Sequence, residues 1–426
     1  MDRQRIYVLL TFAVVATTIF GWFRLNSLCI ILLAAYKLWE NGPLTAVKKA
    51  FTNKYVWAYL VFFLIETAGL LHTHNAKSGA DTVAKDATLV AIAFIICAGN
   101  FIDVKGYRQL MTGYCLALAL ASLYCLIVAA GHYLHDRDIS VFFYHPLASP
   151  ISQNAVFYSV YVLFGALYLL SPGGGPILPD RLVRMRRPLQ LSLIVFFTGM
   201  TILLSSKLIL VILLIVVAIA LIQHYSRGKR PRVVLTLGVS CLLVVGVVAF
   251  TNNPVKARFS ELLTTDLDMI KTEHFIPGMA FNYLQIRVLE CHFAVEILNE
   301  HHAWLFGVSP GDSQDLLDAK YVAANMYIGD TAEGPHRKIR GFIGYNFHNQ
   351  YVETLVRDGI PGLAALLFIF WLMAGIARRW MTRPAFFTFL TLLVFFIPEA
   401  PLTMQTGIFL FCFFPLLLLY SPKRPG

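Results

Sequence analysis

The sequence predicts an all-α polytopic membrane protein, and three observations carry that reading. Of 426 residues, 58% are hydrophobic and only 14% are charged, with a mean hydropathy of +0.66, outside the range of soluble globular chains. The apolar residues gather into runs of the length a bilayer core takes, roughly 17–25 helical residues. The basic residues behind the net charge of +11 sit in short links between those runs, as membrane topology places them, and not on a continuous face that would bind nucleic acid.

Twelve spans are expected, at about 6–22, 24–40, 55–72, 84–101, 109–131, 153–170, 188–205, 206–223, 233–251, 360–377, 384–399 and 402–420. The first follows "MDRQR" without a small-residue cleavage site and reads as a retained span. With the N-terminus in the cytoplasm, 21 Lys and Arg fall inside, from Arg3 and Arg5 through Arg181 to Arg187, Arg227 to Arg232 and Arg378 to Arg383, ending at Lys423 and Arg424. The short outer links hold five, Arg24, Lys77, Lys85, Arg137 and Lys207, and nine more lie in one long outer segment. That asymmetry predicts twelve spans with both ends cytoplasmic. It divides the chain into spans 1–9 (1–251), an extramembrane segment (252–359) and spans 10–12 (360–426).

Six of the seven cysteines, Cys29, Cys97, Cys115, Cys125, Cys241 and Cys412, lie in or beside apolar runs, and only Cys291 falls in a long polar region. No disulfide framework or zinc motif is readable. The link "SPGGGPILPDRLVRMRRP" reads as a Gly/Pro-rich loop whose basic end sets topology.

The 252–359 segment is long enough to build a small domain, and connections of that length usually carry function. In "AFNYLQIRVLECHFAVEILNEH" helical periodicity runs through Leu284, Val288, Phe293, Ala294 and Ile297. "LFGVSPGD" reads as a turn, and the following Gly-interrupted stretch supports no assignment. The segment closes with "GYNFHNQYVETLVRDGIPG". As a helix over 347–358 it places His348, Val352 and Leu355 on one stripe and pairs Glu353 with Arg357 at i, i+4. Gly359 to Gly362 then form a bend into the tenth span, with Pro361 in the first turn.

Three basic or imidazole groups are expected on the same outer side: His348, Arg287 and, at the tip of "SSKLILVILL" beside Ser206, Lys207. Taken singly, each has a bland reading, as a packed His, a surface Arg and a snorkelling Lys. Together they suit glycosyl transfer from a lipid diphosphate. Cationic groups neutralise a diphosphate leaving group, and an imidazole takes the proton of an attacking hydroxyl. His145 and Asn154, in the interfacial link "HYLHDRDISVFFYHPLASPISQN", are further possible substrate contacts. The HxH pair of His72 and His74 and the His301, His302 and His336 group show no four-ligand spacing, so no metal site is expected.

The plan and three of these patterns resemble the O-antigen ligase and polymerase superfamily of polytopic glycosyltransferases. "FHNQYVETLVRDGIPG" looks like its His-Asn helix, "RVLECHFAVEILNEHHAWLFGVSPGD" is similar to its Arg-led helix and Gly-Val-x-x-Gly-Asp turn, and "SSKLILVILL" resembles the Ser-Arg that opens its eighth span. The resemblance implies a GT-C-like fold with one large, mainly helical periplasmic segment. It also implies metal-independent, inverting transfer of a glycan from undecaprenyl diphosphate at the periplasmic face of the bacterial inner membrane, with no cofactor. A ligase would use lipid A–core as acceptor and a polymerase another lipid-linked repeat; ligase is favoured because Arg287 and His348 share one long late loop. By the resemblance His348 is the base and Arg287 and Lys207 bind the donor diphosphate; Asn349 and Ser206, with His145, are possible substrate contacts. Lys207 stands where the family usually has Arg, keeping the charge without the planar fork. A monomer among membrane lipids, without nucleic acid, is expected. The competing class is a twelve-span transporter, which would carry ionisable groups deep in interrupted helices.

Overall fold

In a computed structural model, residues 3–99, 101–171, 174–177, 180–204, 206–215, 272, 274–276, 279–329, 341–380 and 383–421 are described. Among them every regular element is a helix. The protein is a helical membrane protein. Among the described residues three helices are long and apolar enough to cross a bilayer, Lys54–His72, Val104–Asp136 and Gln350–Arg378, and Tyr144–Ile151 with Ala155–Leu170, bent by 79°, counts as a fourth if the pair is one broken span.

The helices are α1 (Arg3–Ile19), α2 (Phe23–Asn41), α3 (Pro43–Phe51), α4 (Lys54–Gly69), α5 (Ala76–Cys97), α6 (Val104–Asp136), α7 (Tyr144–Ala148), α8 (Ala155–Leu170), α9 (Arg186–Leu203), α10 (Tyr283–Glu300), α11 (Ser313–Ala323), α12 (Gln350–Trp380), α13 (Arg383–Phe395) and α14 (Gln405–Leu417). Residues 207–215 are also helical. The run expected at 233–251 and residues 216–223 of that expected at 206–223 lie outside the described residues. Local chemistry sets several of the starts. Asn53, Asn75, Asp103 and Asn154 each accept a backbone N–H of the helix they precede, which satisfies a donor the first turn leaves orphaned.

Two helices form the centre of the bundle. Every residue from Ala155 to Leu169 in α8 and from Thr406 to Leu417 in α14 is buried, as expected of helices apolar on all sides. Phe414 ties them together, with its ring 5.1 Å from Phe164, 5.9 Å from Tyr161 and 5.2 Å from Tyr114 of α6. Around this centre α1 packs on α2 and α6, α4 on α5 and α12, α5 on α14, and α8 on α9.

A second, separate core belongs to the segment around α10 and α11, where Ile286, Leu289, Phe293, Ile297, Leu317 and Tyr321 pack with Phe347 and Val356. The buried stripe of α10 is thus Ile286, Leu289, Phe293 and Ile297, while Leu284 and Val288 of the expected stripe are only half-buried. The "LFGVSPGD" turn forms as expected. The N–H groups of Val308 and Ser309 donate to the carbonyls of Val356 and Arg357 at 2.8 and 3.1 Å. Helix α11, unassigned from sequence, follows this turn.

The expected bend is present. Helix α12 is broken at Gly359, with φ 67° and ψ −163°, a backbone conformation that side-chain-bearing residues avoid. Two expectations about this helix are corrected. First, His348 is not helical; it has φ 44°, and the helix begins after it because Asn349 accepts the N–H groups of Tyr351 and Val352. Second, Glu353 and Arg357 do not pair. Arg357 is buried and its guanidinium meets Glu66 of α4, with Asp86 of α5 at 3.3 Å, while Glu353 accepts the N–H of Phe347 at 3.3 Å. Contact with α4 and α5 takes the arginine inward, where a carboxylate partner offsets its desolvation.

Candidate functional site

The site is built on one face of α10. Its first turn is fixed by a capping box in which Asn282 accepts from Leu284 and Gln285 while the Gln285 side chain accepts from the Asn282 N–H. From that start Tyr283, Arg287 and Glu290 follow at i, i+4 and i+7, so all three project from the same side.

Tyr283 gathers the cations. The Arg287 guanidinium lies over its ring, Cζ 3.2 Å from the centroid, and the Lys207 ammonium lies 5.1 Å from the same centroid, distances at which a cation is attracted to an aromatic face. Ser206, buried, has its carbonyl bonded by the Leu210 N–H, which opens the helical stretch that carries Lys207. Lys207 and Arg287, 80 positions apart in the sequence, thus share one tyrosine.

Arg287 is held on three sides. Its Nε donates to the Pro398 carbonyl at 2.9 Å, Nη1 to the Tyr283 carbonyl at 3.2 Å and Nη2 to Glu399 at 2.9 Å. Glu399, itself buried, also accepts from the Tyr283 hydroxyl at 3.2 Å. Burial, followed by the negative charge of Glu399, pushes the Tyr283 phenol above its ordinary pKa, so it stays a neutral donor.

One turn along α10, Glu290 holds His348. The Nδ1 of His348 is 3.0 Å from both carboxylate oxygens, and Tyr321 donates its hydroxyl to Oε1 at 3.0 Å. Burial raises the pKa of Glu290, while the bond to His348 and the charges of His348 and Arg287 pull it back. An ionised carboxylate only accepts, so Nδ1 carries the proton and Nε2 is left as the basic nitrogen. The Tyr345 ring stands edge-on to the imidazole at 5.5 Å, and the His348 N–H donates to Asn346 at 2.9 Å.

The loop between α13 and α14 joins the two halves. The Gln350 N–H bonds the Phe396 and Glu399 carbonyls, and the Gln350 side chain accepts from the Leu402 N–H at 2.8 Å. Glu399, which holds Arg287, therefore also holds the start of the helix behind His348.

Of the seven site residues expected from sequence, the structure brings His348, Arg287 and Lys207 around α10, with Ser206 beside Lys207. Asn349 is the helix cap described above. The exposed His145 accepts the Ala155 N–H at 3.4 Å through Nδ1, and its ring lies 3.9 Å from that of Tyr144, tilted by 48°. Asn154 caps α8 through Val156. His74 pairs with Asp312 at 3.1 Å, and among the described residues no three His, Cys, Asp or Glu are arranged to hold a metal ion; His336 lies outside them.

Sequence reasoning missed Glu290, Glu399, Tyr283 and Tyr321. Two signals were present. Glu290 lies at i+3 from Arg287, and Glu399 is the only charged residue between Arg383 and Lys423, a carboxylate isolated among apolar residues and therefore a functional candidate.

Compared with known proteins, the chain matches no family model and no curated sequence.

Proposed function

We propose that this chain is a glycosyltransferase that moves a glycan from undecaprenyl diphosphate to a sugar hydroxyl of lipid A–core, as an O-antigen ligase does, in the bacterial inner membrane. The observation that carries the proposal is the placement of a carboxylate-held imidazole and a two-cation cluster one turn apart on α10. In the proposed topology twelve spans leave both termini in the cytoplasm and put this face at the periplasmic surface, where two lipid-anchored substrates meet.

The chemistry is an inverting displacement. The acceptor oxygen forms a bond to the anomeric carbon as the bond from that carbon to the diphosphate oxygen breaks. The acceptor proton passes to Nε2 of His348, and Glu290 stabilises the imidazolium that results. The leaving diphosphate takes its charge onto Arg287 and Lys207, whose cations are the electrostatic part of catalysis. Glu399 bonds Nη2 of Arg287, so donor binding would exchange one anion for another at the guanidinium. No cofactor enters the scheme, and Tyr283 holds both cations in register.

A transporter is the second reading, and one observation favours it. Glu66, Asp86, Arg357 and Asp358 are buried together where α12 is interrupted, as ionisable groups of transporters are. Reconstitution in liposomes with lipid-linked glycan, with and without lipid A–core, separates the readings. Product on lipid A–core supports the ligase, longer lipid-linked chains without it the polymerase, and uptake without any glycan product the transporter.

A further inference from the structure

The turn after α10 ends in "AWLFG", and its large apolar side chains are exposed. Trp304, Leu305 and Phe306 are all exposed, Phe306 by 68%, and the polar His301 and His302 precede them. Exposed contiguous apolar residues of this size mark a contact surface.

The height of this tip is fixed by backbone contacts. The Ile360 N–H, the first after the break in α12, donates to the Trp304 carbonyl at 3.0 Å. The Leu305 carbonyl lies against Gly359 so closely that a Cβ there would collide with it, and Gly307 is pressed in the same way on the Arg357 carbonyl. The tip is therefore locked to the break at Gly359, after which α12 carries no charged residue from Ile360 to Ala377.

Below that point the exposed side of α12 is apolar. Ile360, Leu367 and Trp371 follow at i, i+7 and i+11, and all are exposed, Trp371 by 64%. Such a stripe on a membrane-crossing helix faces lipid, and the Trp304 to Phe306 tip continues it at its head. The Trp304 indole N–H donates to Asn299 at 2.9 Å, so the ring presents its apolar body outward with its polar atom already satisfied. Tryptophan with that character is concentrated at the membrane interface.

We infer that Trp304, Leu305 and Phe306 form a wedge seated in the headgroup and upper acyl region of the bilayer, with lipid as its partner. The wedge ties the α10 and α11 unit to the membrane surface beside the hinge at Gly359. The inference does not depend on the proposed glycosyl transfer.

The test uses the full chain in lipid nanodiscs, with Phe306→Cys in a Cys291→Ser background labelled with an environment-sensitive fluorophore. The labelled background without the Phe306 substitution is subtracted. The expected result is blue-shifted emission, loss of fluorescence with lipids spin-labelled near the headgroup, less loss with lipids labelled at the chain end, and protection from aqueous iodide. Quenching by iodide and not by lipid would place the tip in water and overturn the inference. Resistance to both quenchers would place it against protein, such as a second copy, and would overturn it equally. Trp304→Phe, which keeps the apolar surface, is expected to leave the pattern at position 306 unchanged and guards against misfolding of a single variant.

Discussion

His348 and Glu290, 58 positions apart, meet through Nδ1 at 3.0 Å from both carboxylate oxygens. The Tyr321 hydroxyl fixes the same carboxylate from the other side. A histidine held in this way has its tautomer and ring orientation set before any substrate arrives.

Glu290→Gln tests that role. The amide keeps the shape but lacks the charge that stabilises an imidazolium, so turnover is expected to fall about 10²-fold with little change in KM for the donor. The wild type is expected to lose activity as pH falls through the pKa of Glu290, which burial raises above its ordinary value of 4.5. The sign follows from the active form being ionised: activity is present above that pKa and lost below it. A pH profile of Glu290→Gln retaining the same acid limb at full amplitude would refute the assignment.

His348 sits in left-handed backbone, φ 44°, which a residue with a Cβ occupies at a cost of about 1–3 kcal/mol. Glycine removes that cost. His348→Gly is therefore expected to be more stable than His348→Ala, by about 1 kcal/mol, while neither variant transfers glycan. Thermal unfolding of both in detergent checks the ordering; an alanine variant more stable than the glycine variant would contradict the strain argument.

Asp312 anchors the turn after α10 to the α4–α5 link. It accepts the N–H groups of His74 and Asn75 at 3.0 and 2.9 Å. Burial pushes its carboxyl up, but these bonds, with those from the His74 and Ser309 side chains, outweigh it and bring the pKa down to about 2. A depressed carboxylate pKa stabilises the fold above the unfolded-state value of about 3.9, and the contribution is lost as pH falls from there toward 2. Asp312→Asn is expected to cost about 2 kcal/mol at neutral pH and to flatten the loss of stability between pH 4 and pH 2, read as thermal midpoint against pH.

Arg357 joins α12 to α4 and α5 through Glu66 and Asp86. Removing one partner of a buried pair costs about 3–5 kcal/mol. A double-mutant cycle is expected to give strong coupling of Arg357 to Glu66 and weak coupling to Glu353, the partner that helical spacing alone nominates. Equal coupling to both would contradict the structure.

Much of the helical architecture was legible because apolar run length and local caps are local properties. The runs at 24–40 and 153–170 correspond to Phe23–Asn41 and Ala155–Leu170 within about two residues. The bend at Gly359 was legible for the same reason, since a glycine can adopt a backbone that its neighbours cannot. Partners distant in sequence were not. Nothing in "RDGIPG" shows that Arg357 meets Glu66, because helix neighbours across a bundle are a property of packing. His348 was placed in the first turn of a helix that Asn349 starts only after it, since capping competes with helical continuation at such residues. Glu290 and Glu399 were overlooked because a carboxylate on an amphipathic helix, or alone between apolar runs, reads as surface until its partner is seen.

The central claim is that His348 takes the acceptor proton in transfer from a lipid diphosphate. It is tested most directly by reconstituting wild type and His348→Ala with purified undecaprenyl-diphosphate-linked glycan and lipid A–core, and following glycan attached to lipid A–core over time. The expected result is product with wild type and none above background with a folded, membrane-inserted His348→Ala chain. Wild-type turnover by His348→Ala, or no glycan product from either protein, would contradict it.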